Sequence, residues 1–199
     1  MITHVAGLLS NPNREWEAIR DEPCSIGKCY IGLVMILAAI PPVCALIGTT
    51  QFGWQIGAGN AIKLTVGSAL QIAIAFYLAI LAAVYIMGRA IHWMATTYGA
   101  TPELSKCVVL AAYAGTPLFL SGAIALYPVL WLNMLVGLAG LGYTIYLLYT
   151  GVPIVMEIPK EQGFMFSTAV LTVGMVTLVG LLAVTVILWG FGIAPAFTS

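Results

Sequence analysis

Two histidines, four cysteines and a short acid–base–acid cluster around Lys160 are the residues of this chain whose types and spacing bear on chemistry. His4 and His92 stand apart, and neither belongs to a motif such as HExxH, which puts two metal-binding imidazoles on one helix face. Cys24 and Cys29 lack a zinc or redox spacing and have no histidine at hand. Cys107 falls on the side where thiols stay reduced, and Cys44 lies inside an apolar run, so buried or interfacial thiols are expected rather than a disulfide framework or a metal centre. Glu157 and Glu161 flank Lys160. A carboxylate pair of that kind suits general acid–base work, but a solvated loop with a helix opening at Pro159 explains it more simply. No nucleophile constellation, phosphate-cradling glycine loop or basic surface interleaved with aromatics is present, so nucleic acid is not an expected partner. The residue set points away from an enzyme and implies no cofactor.

The elements that must position these residues are apolar. Of 199 residues, 61% are hydrophobic and 7% charged, against about 25% charged in an ordinary soluble domain. Five runs, at 30–48, 64–88, 107–126, 129–150 and 166–190, are each close to the ~20 residues that cross ~30 Å of hydrocarbon. The fold class expected is therefore all-α: an integral membrane five-helix bundle at 30–199, preceded by short amphipathic helices at 1–29. The opening Met-Ile-Thr-His has no basic region ahead of a short apolar stretch, so the first run is expected to remain as an anchor. None of the five runs contains Asp, Glu, Lys, Arg or His. Proton relays and ion-coupled carriers generally need such groups, which weighs against a pump. Gln71 and Asn133 are read as helix-to-helix hydrogen bonders.

Charge sets the expected orientation. Arg14, Arg20, Lys28, Arg89, Lys106 and Lys160 fall on one side of a five-span chain and only Lys63 on the other. The excess of Lys and Arg puts the N-terminus in the cytoplasm and the C-terminus outside. All seven acids map to the same inner side, making it the expected face for recognising a membrane-protein partner. Arg14, Trp16, Arg89, Glu157 and Lys160 are the candidate contacts; the competing reading is that these charges only solubilise the inner surface and fix topology.

Local signals refine the picture. Ile2, Val5, Leu9, Pro12, Trp16 and Ile19 recur at helical spacing. Asn11 and Pro12 interrupt that stripe as an N-cap and a first-turn proline, so two helices are expected, the second ended by Pro23. Trp16 is then either an anchor among lipid headgroups or packed on the inner ends of the spans. Pro41-Pro42 should bend the first span, a polar loop holding Trp54 follows, and Ala75, Ala79 and Ala83 form a ridge for close helix contact. The second span should continue to Tyr98 and stop at Gly99, with Thr101-Pro102-Glu103 opening the next helix. Pro117 should kink the third, Tyr127-Pro128 should turn it into an antiparallel hairpin with the fourth, and Gly137, Gly140 and Gly142 should permit close approach. Tyr143, Tyr146 and Tyr149 should lie toward the inner surface.

Three segments, in order, carry a resemblance: NPNREWEAI at 11–19, AAYAGTP at 111–117 and YTGVPIVMEIPKEQ at 149–162, the last joining the fourth span to the fifth. With five spans and an inward N-terminus, the chain resembles the prokaryotic branch of the Yip family, membrane proteins named for interaction with Ypt/Rab GTPases. The acidic DLYGP element of eukaryotic members is absent; NPNREWEAIRDEP stands in its place. The resemblance implies the fold and a bacterial inner-membrane location; the role expected for the chain is that of a non-enzymatic scaffold or partner-binding protein, self-associating in the lipid bilayer through small-residue ridges. The alternative is a small-molecule, ion or lipid transporter working as an oligomer. Asn11, Pro12, Trp16, Tyr113, Pro117, Tyr149, Gly151, Pro153 and Pro159 match family-type positions, and their Pro and Gly content implies architecture.

Overall fold

The computed structural model describes residues 2–23, 25–53, 62–190 and 196. Two short helices, α1 (Ile2–Ser10) and α2 (Pro12–Asp21), precede five helices long and apolar enough to cross a membrane. These are α3 (Ile26–Phe52), α4 (Val66–Tyr98), α5 (Leu104–Leu126), α6 (Leu130–Val155) and α7 (Lys160–Gly190). The chain is an all-α membrane bundle, as its apolar runs predict. Helix α3 takes in the first residues of the expected outer loop, to Phe52, while 54–61 of that loop with Trp54, Cys24 and the last three residues lie outside the described residues.

The helices overrun the apolar runs at the charged end. α6 continues to Val155 and α7 begins at Lys160, so most of 149–162, expected to join the two spans, is helix, with only 156–159 between. A charged residue marks where lipid contact must stop, whereas a helix stops where its caps are. α4 ends as expected, at Gly99 with φ +77. α5 begins at Leu104, just after the expected opening at 101–103. Past its last residue, Val155, α6 is closed by Glu157, whose φ of +55 is unusual outside glycine, and the Ile158 amide donates to the Pro153 carbonyl at 3.2 Å in a Schellman-type closure.

Both proline sites interrupt their helices. α3 lapses at Ala38-Ala39 and resumes at Ile40, one residue before Pro41-Pro42. α5 breaks at Gly115, which separates Leu104–Ala114 from Thr116–Ser121. Pro117 thereby sits in the first turn of a new helical piece, where its missing N–H is not needed. The Thr116 hydroxyl donates to the Ala112 carbonyl at 3.3 Å. The two broken helices face each other: a Cβ on Gly122 would lie 2.5 Å from Pro41 Cγ.

Glycine decides the other close approaches. A Cβ on Gly88 would lie 2.8 Å from the Val108 Cα, locking α4 to α5, and one on Gly140 would lie 2.9 Å from the Ser121 side chain, closing the expected α5/α6 hairpin. Gly137 and Gly142, also expected to allow close contact, have nothing within 4 Å. Ala75 is exposed, with Ala79 and Ala83 half-buried, so that ridge is left largely uncovered. α6 and α7 are joined by Tyr149 OH to Thr168 Oγ1 at 2.8 Å and by the Ser167 hydroxyl donating to the Leu148 carbonyl at 3.3 Å.

Glycine substitutions should therefore split by sign. Gly88→Ala is expected to cost about 1–3 kcal/mol, the usual penalty of overpacking, and to lower the midpoint of thermal unfolding in detergent. Gly142→Ala, in open space, should raise it, because Ala is favoured over Gly in a helix interior by about 1 kcal/mol. Equal responses at both positions would contradict the packing.

Candidate functional site

Asn11, Pro12, Trp16, Tyr113 and Gly151, drawn from all three motif segments, meet at the charged end, on a helical hairpin made by α1 and α2. Its turn is tight: the Asn11 amide donates to the Gly7 carbonyl at 2.7 Å, and the Asn11 carbonyl accepts from the Glu15 amide at 3.2 Å. Contrary to expectation, the Asn11 side chain makes no cap hydrogen bond. The turn is held instead by backbone bonds and by Pro12 in the first helical turn, where its fixed φ is already suitable.

Trp16 has no exposed surface. Its indole lies on Gly151 of α6, where a Cβ would come within 2.6 Å of Cε2, and meets Tyr113 of α5 edge-on at 6.4 Å and 87°. Trp16 is therefore neither a headgroup anchor nor an exposed partner contact. Burying an indole against two helices gains more than leaving it at the lipid surface, and only a residue without a side chain at 151 makes room for it. The indole Nε1 has no hydrogen-bond partner, so shape and apolar burial hold it there.

His4, expected to be a solvated lone histidine, is an organising residue. Its Nδ1 lies against Glu15 Oε1, its Nε2 is 2.9 Å from Glu22 Oε2, and its ring meets Tyr113 edge-on at 6.0 Å. With a carboxylate at each nitrogen, both nitrogens donate when the ring is imidazolium. Glu15 and Glu22 are seven residues apart, two helical turns, a spacing that signals a shared face; nothing in the sequence says that α1 folds back to meet it. The Tyr143 hydroxyl donates to the Leu8 carbonyl at 2.9 Å and the Leu9 carbonyl at 3.3 Å, satisfying groups that the end of α1 leaves open.

The remaining family-type positions are also architectural. Pro117 breaks α5, Tyr149 bonds Thr168, Pro153 packs on Gly163, and the Pro159 carbonyl accepts from the Gly163 amide at 2.9 Å. Among the described residues no group of His, Cys, Asp and Glu is arranged to hold a metal.

Of the candidate partner contacts, Arg14, Arg89, Glu157 and Lys160 are exposed. Arg20 Nε lies 2.8 Å from Asp21 Oδ1 and 3.8 Å from Glu157 Oε1, tying α2 to the end of α6. The hydrogen bond from Arg20 holds the Asp21 carboxyl below the usual range. That contribution is present at neutral pH and lost as pH falls through the lowered value; at a surface position it is small. Beside it, Arg20, Asp21, Glu22, Glu103 and Lys106 rim a cleft whose apolar wall includes Ile19 and Val109. Both signs of charge around an apolar wall suit a polypeptide segment better than a small anion.

Trp16→Ala should cost about 3–5 kcal/mol, the range for emptying a large aromatic site, and should expose the hairpin to tryptic cleavage at Arg14 and Arg20. Trp16→Phe, which keeps most of the volume and removes the unsatisfied N–H, should retain most of the protection. Equal trypsin sensitivity of the two variants would show that the indole does not hold the hairpin.

The Yip1 domain matches residues 6–182. The chain is 50% identical over 191 residues to the inner membrane protein YohC of Escherichia coli strain K12, covering 96% of this chain and 98% of that relative. It matches the inner membrane protein YohC of Escherichia coli O6:H1 strain CFT073 to the same extent. No solved structure matches. The Trp16, Tyr113 and Gly151 contact joins residues from each of the three motif segments, and a domain match that covers almost all of this helical bundle agrees with it: the chain belongs to the Yip1 domain family.

Proposed function

We propose that this protein is a non-enzymatic inner-membrane scaffold whose charged end, facing the cytoplasm, recognises a membrane-protein partner. The observation that carries the reading is the packed hairpin. Trp16 holds α2 against α5 and α6, so the rim of the Ile19–Val109 cleft, with Arg20, Asp21, Glu103 and Lys106, is presented as a preorganised surface rather than on a loose tail. Preorganisation lowers the ordering cost of binding, which is what a recognition surface needs. The excess of Lys and Arg at this end supports its cytoplasmic orientation.

Site-specific crosslinkers at positions 14, 89 and 157 in whole cells test the recognition face. A discrete partner captured from these positions and lost on Trp16→Ala is the expected outcome. Capture of a defined partner from the opposite end alone would place recognition elsewhere. Orientation is checked separately by reporters fused after Ser199, expected to be active only outside the cytoplasm.

A further inference from the structure

Three contacts fix the height of the N-terminal hairpin against α6. The Tyr143 hydroxyl holds the Leu8 and Leu9 carbonyls, Gly151 receives Trp16, and Glu157 lies 3.8 Å from Arg20. α2 therefore runs alongside the second half of α6 and in the same direction, with the hairpin turn at the height of Tyr143. Tyr143 is the fourteenth of the 26 residues of α6, so the turn reaches about 18 Å past Val155 toward the other membrane face at 1.5 Å per residue. Ser10, Asn11, Asn13 and Arg14 are exposed at this height beside one exposed apolar residue, Leu9, with Glu17 exposed one turn below.

The neighbouring helices give the same height independently. Tyr149 to Thr168 and Leu148 to Ser167 set the register of α6 on α7, and Met87 to Gly174 and Tyr98 to Phe166 set that of α7 on α4. Followed across, Tyr143 is level with Arg89, the first charged residue of α4, which is exposed. Beyond this level α4 has 23 residues, from Val66 to Gly88, about 34 Å of helix and enough for a full hydrocarbon layer. α6 has only 14 residues from Leu130 to Tyr143, about 21 Å, against a layer of ~30 Å. On the side of that short stretch that continues the α2 flank, Leu132 and Val136 are half-buried and Ala139 is exposed, all of them apolar.

We propose that zwitterionic phospholipid headgroups are drawn inward along the α2 flank of α6, so that the bilayer is locally thinned beside that helix and of ordinary thickness beside α4. Arg14 and Glu17 stand one turn apart on the exposed face of α2. A headgroup carrying a phosphate and an ammonium matches that pair, with the guanidinium on the phosphate and the carboxylate on the ammonium. The lipid chains continue onto the apolar face of α6 above. A helix short of the hydrocarbon thickness is accommodated by thinning of the bilayer around it.

Nitroxide labels at 139, 142 and 146, read by oxygen against nickel-chelate accessibility in phosphatidylethanolamine vesicles, locate the boundary on α6. The expected crossing from hydrocarbon to water lies between 139 and 146, and in Arg14→Gln/Glu17→Gln protein it moves toward 150 by about one helical turn, roughly 5 Å. A crossing at or beyond 150 in the parent protein overturns the proposal, as does a double variant with an unmoved boundary. Short label-to-label distances between two copies at 142 would assign the flank to a dimer and overturn it equally. Unlabelled protein gives a second reading: thermal stability should be higher in vesicles of 14-carbon than of 22-carbon phosphatidylcholine, and the reverse order counts against thinning.

Discussion

The absence of a side chain at Gly151 is what the charged end depends on. With no Cβ there, the Trp16 indole lies directly on α6, its edge against Tyr113, and α2 is drawn into the angle between α5 and α6. Everything nearby follows from that placement. α1 folds back over α2 because His4 finds two carboxylates and an aromatic edge there, and Arg20 arrives beside Glu157 at the end of α6. Dispersion and area burial by one aromatic do the holding, while the ion pairs, half-exposed and screened, set register more than energy.

A second constraint operates within the membrane. Backbone groups away from water must be satisfied internally, so an interrupted helix needs partners for its freed carbonyls. α3 and α5 are both interrupted by proline, and they are packed together at Pro41 and Gly122. The breaks are thereby buried against protein instead of lipid, and Thr116 supplies one bond from a side chain. Pro41 packs on the last turns of α5, and the Pro117 carbonyl lies against Gly140 of α6.

Polar side chains in this bundle are largely consumed by architecture. Tyr143 caps α1, Tyr30 donates to the Leu81 carbonyl, and Tyr77 donates to the Met35 carbonyl, each fixing one helix to another. What is left exposed and charged is the surface that α2 and the helix ends present together. Polar groups that hold helices in place, with charges gathered on a preorganised end, are what the scaffold role proposed for this protein needs.

Helix number, the breaks at Pro41 and Pro117, the Gly99 stop and the two-helix N-terminus were legible in the sequence, because hydrophobic run length, proline and glycine act locally. The helix opening at Pro159 was legible too, whereas α6 runs past its expected end because apolar composition reports lipid exposure, and the helix continues to Val155 packed on Trp16 and the neighbouring helices. Gly140 was read as a contact glycine and is one, whereas Gly137 and Gly142 look the same in sequence and face open space. The candidate site was legible only as a set of motif positions. His4, Glu15 and Glu22 could not be joined in advance, since pairing across a hairpin depends on the angle at which α1 returns. Trp16 was placed on a helical stripe correctly, but whether that stripe meets lipid or protein is settled by the partner surface, and a glycine 135 residues away supplies it. Local propensity and apolar patterning determined which elements form; the fit of one side chain into another helix's missing one decided where they lie.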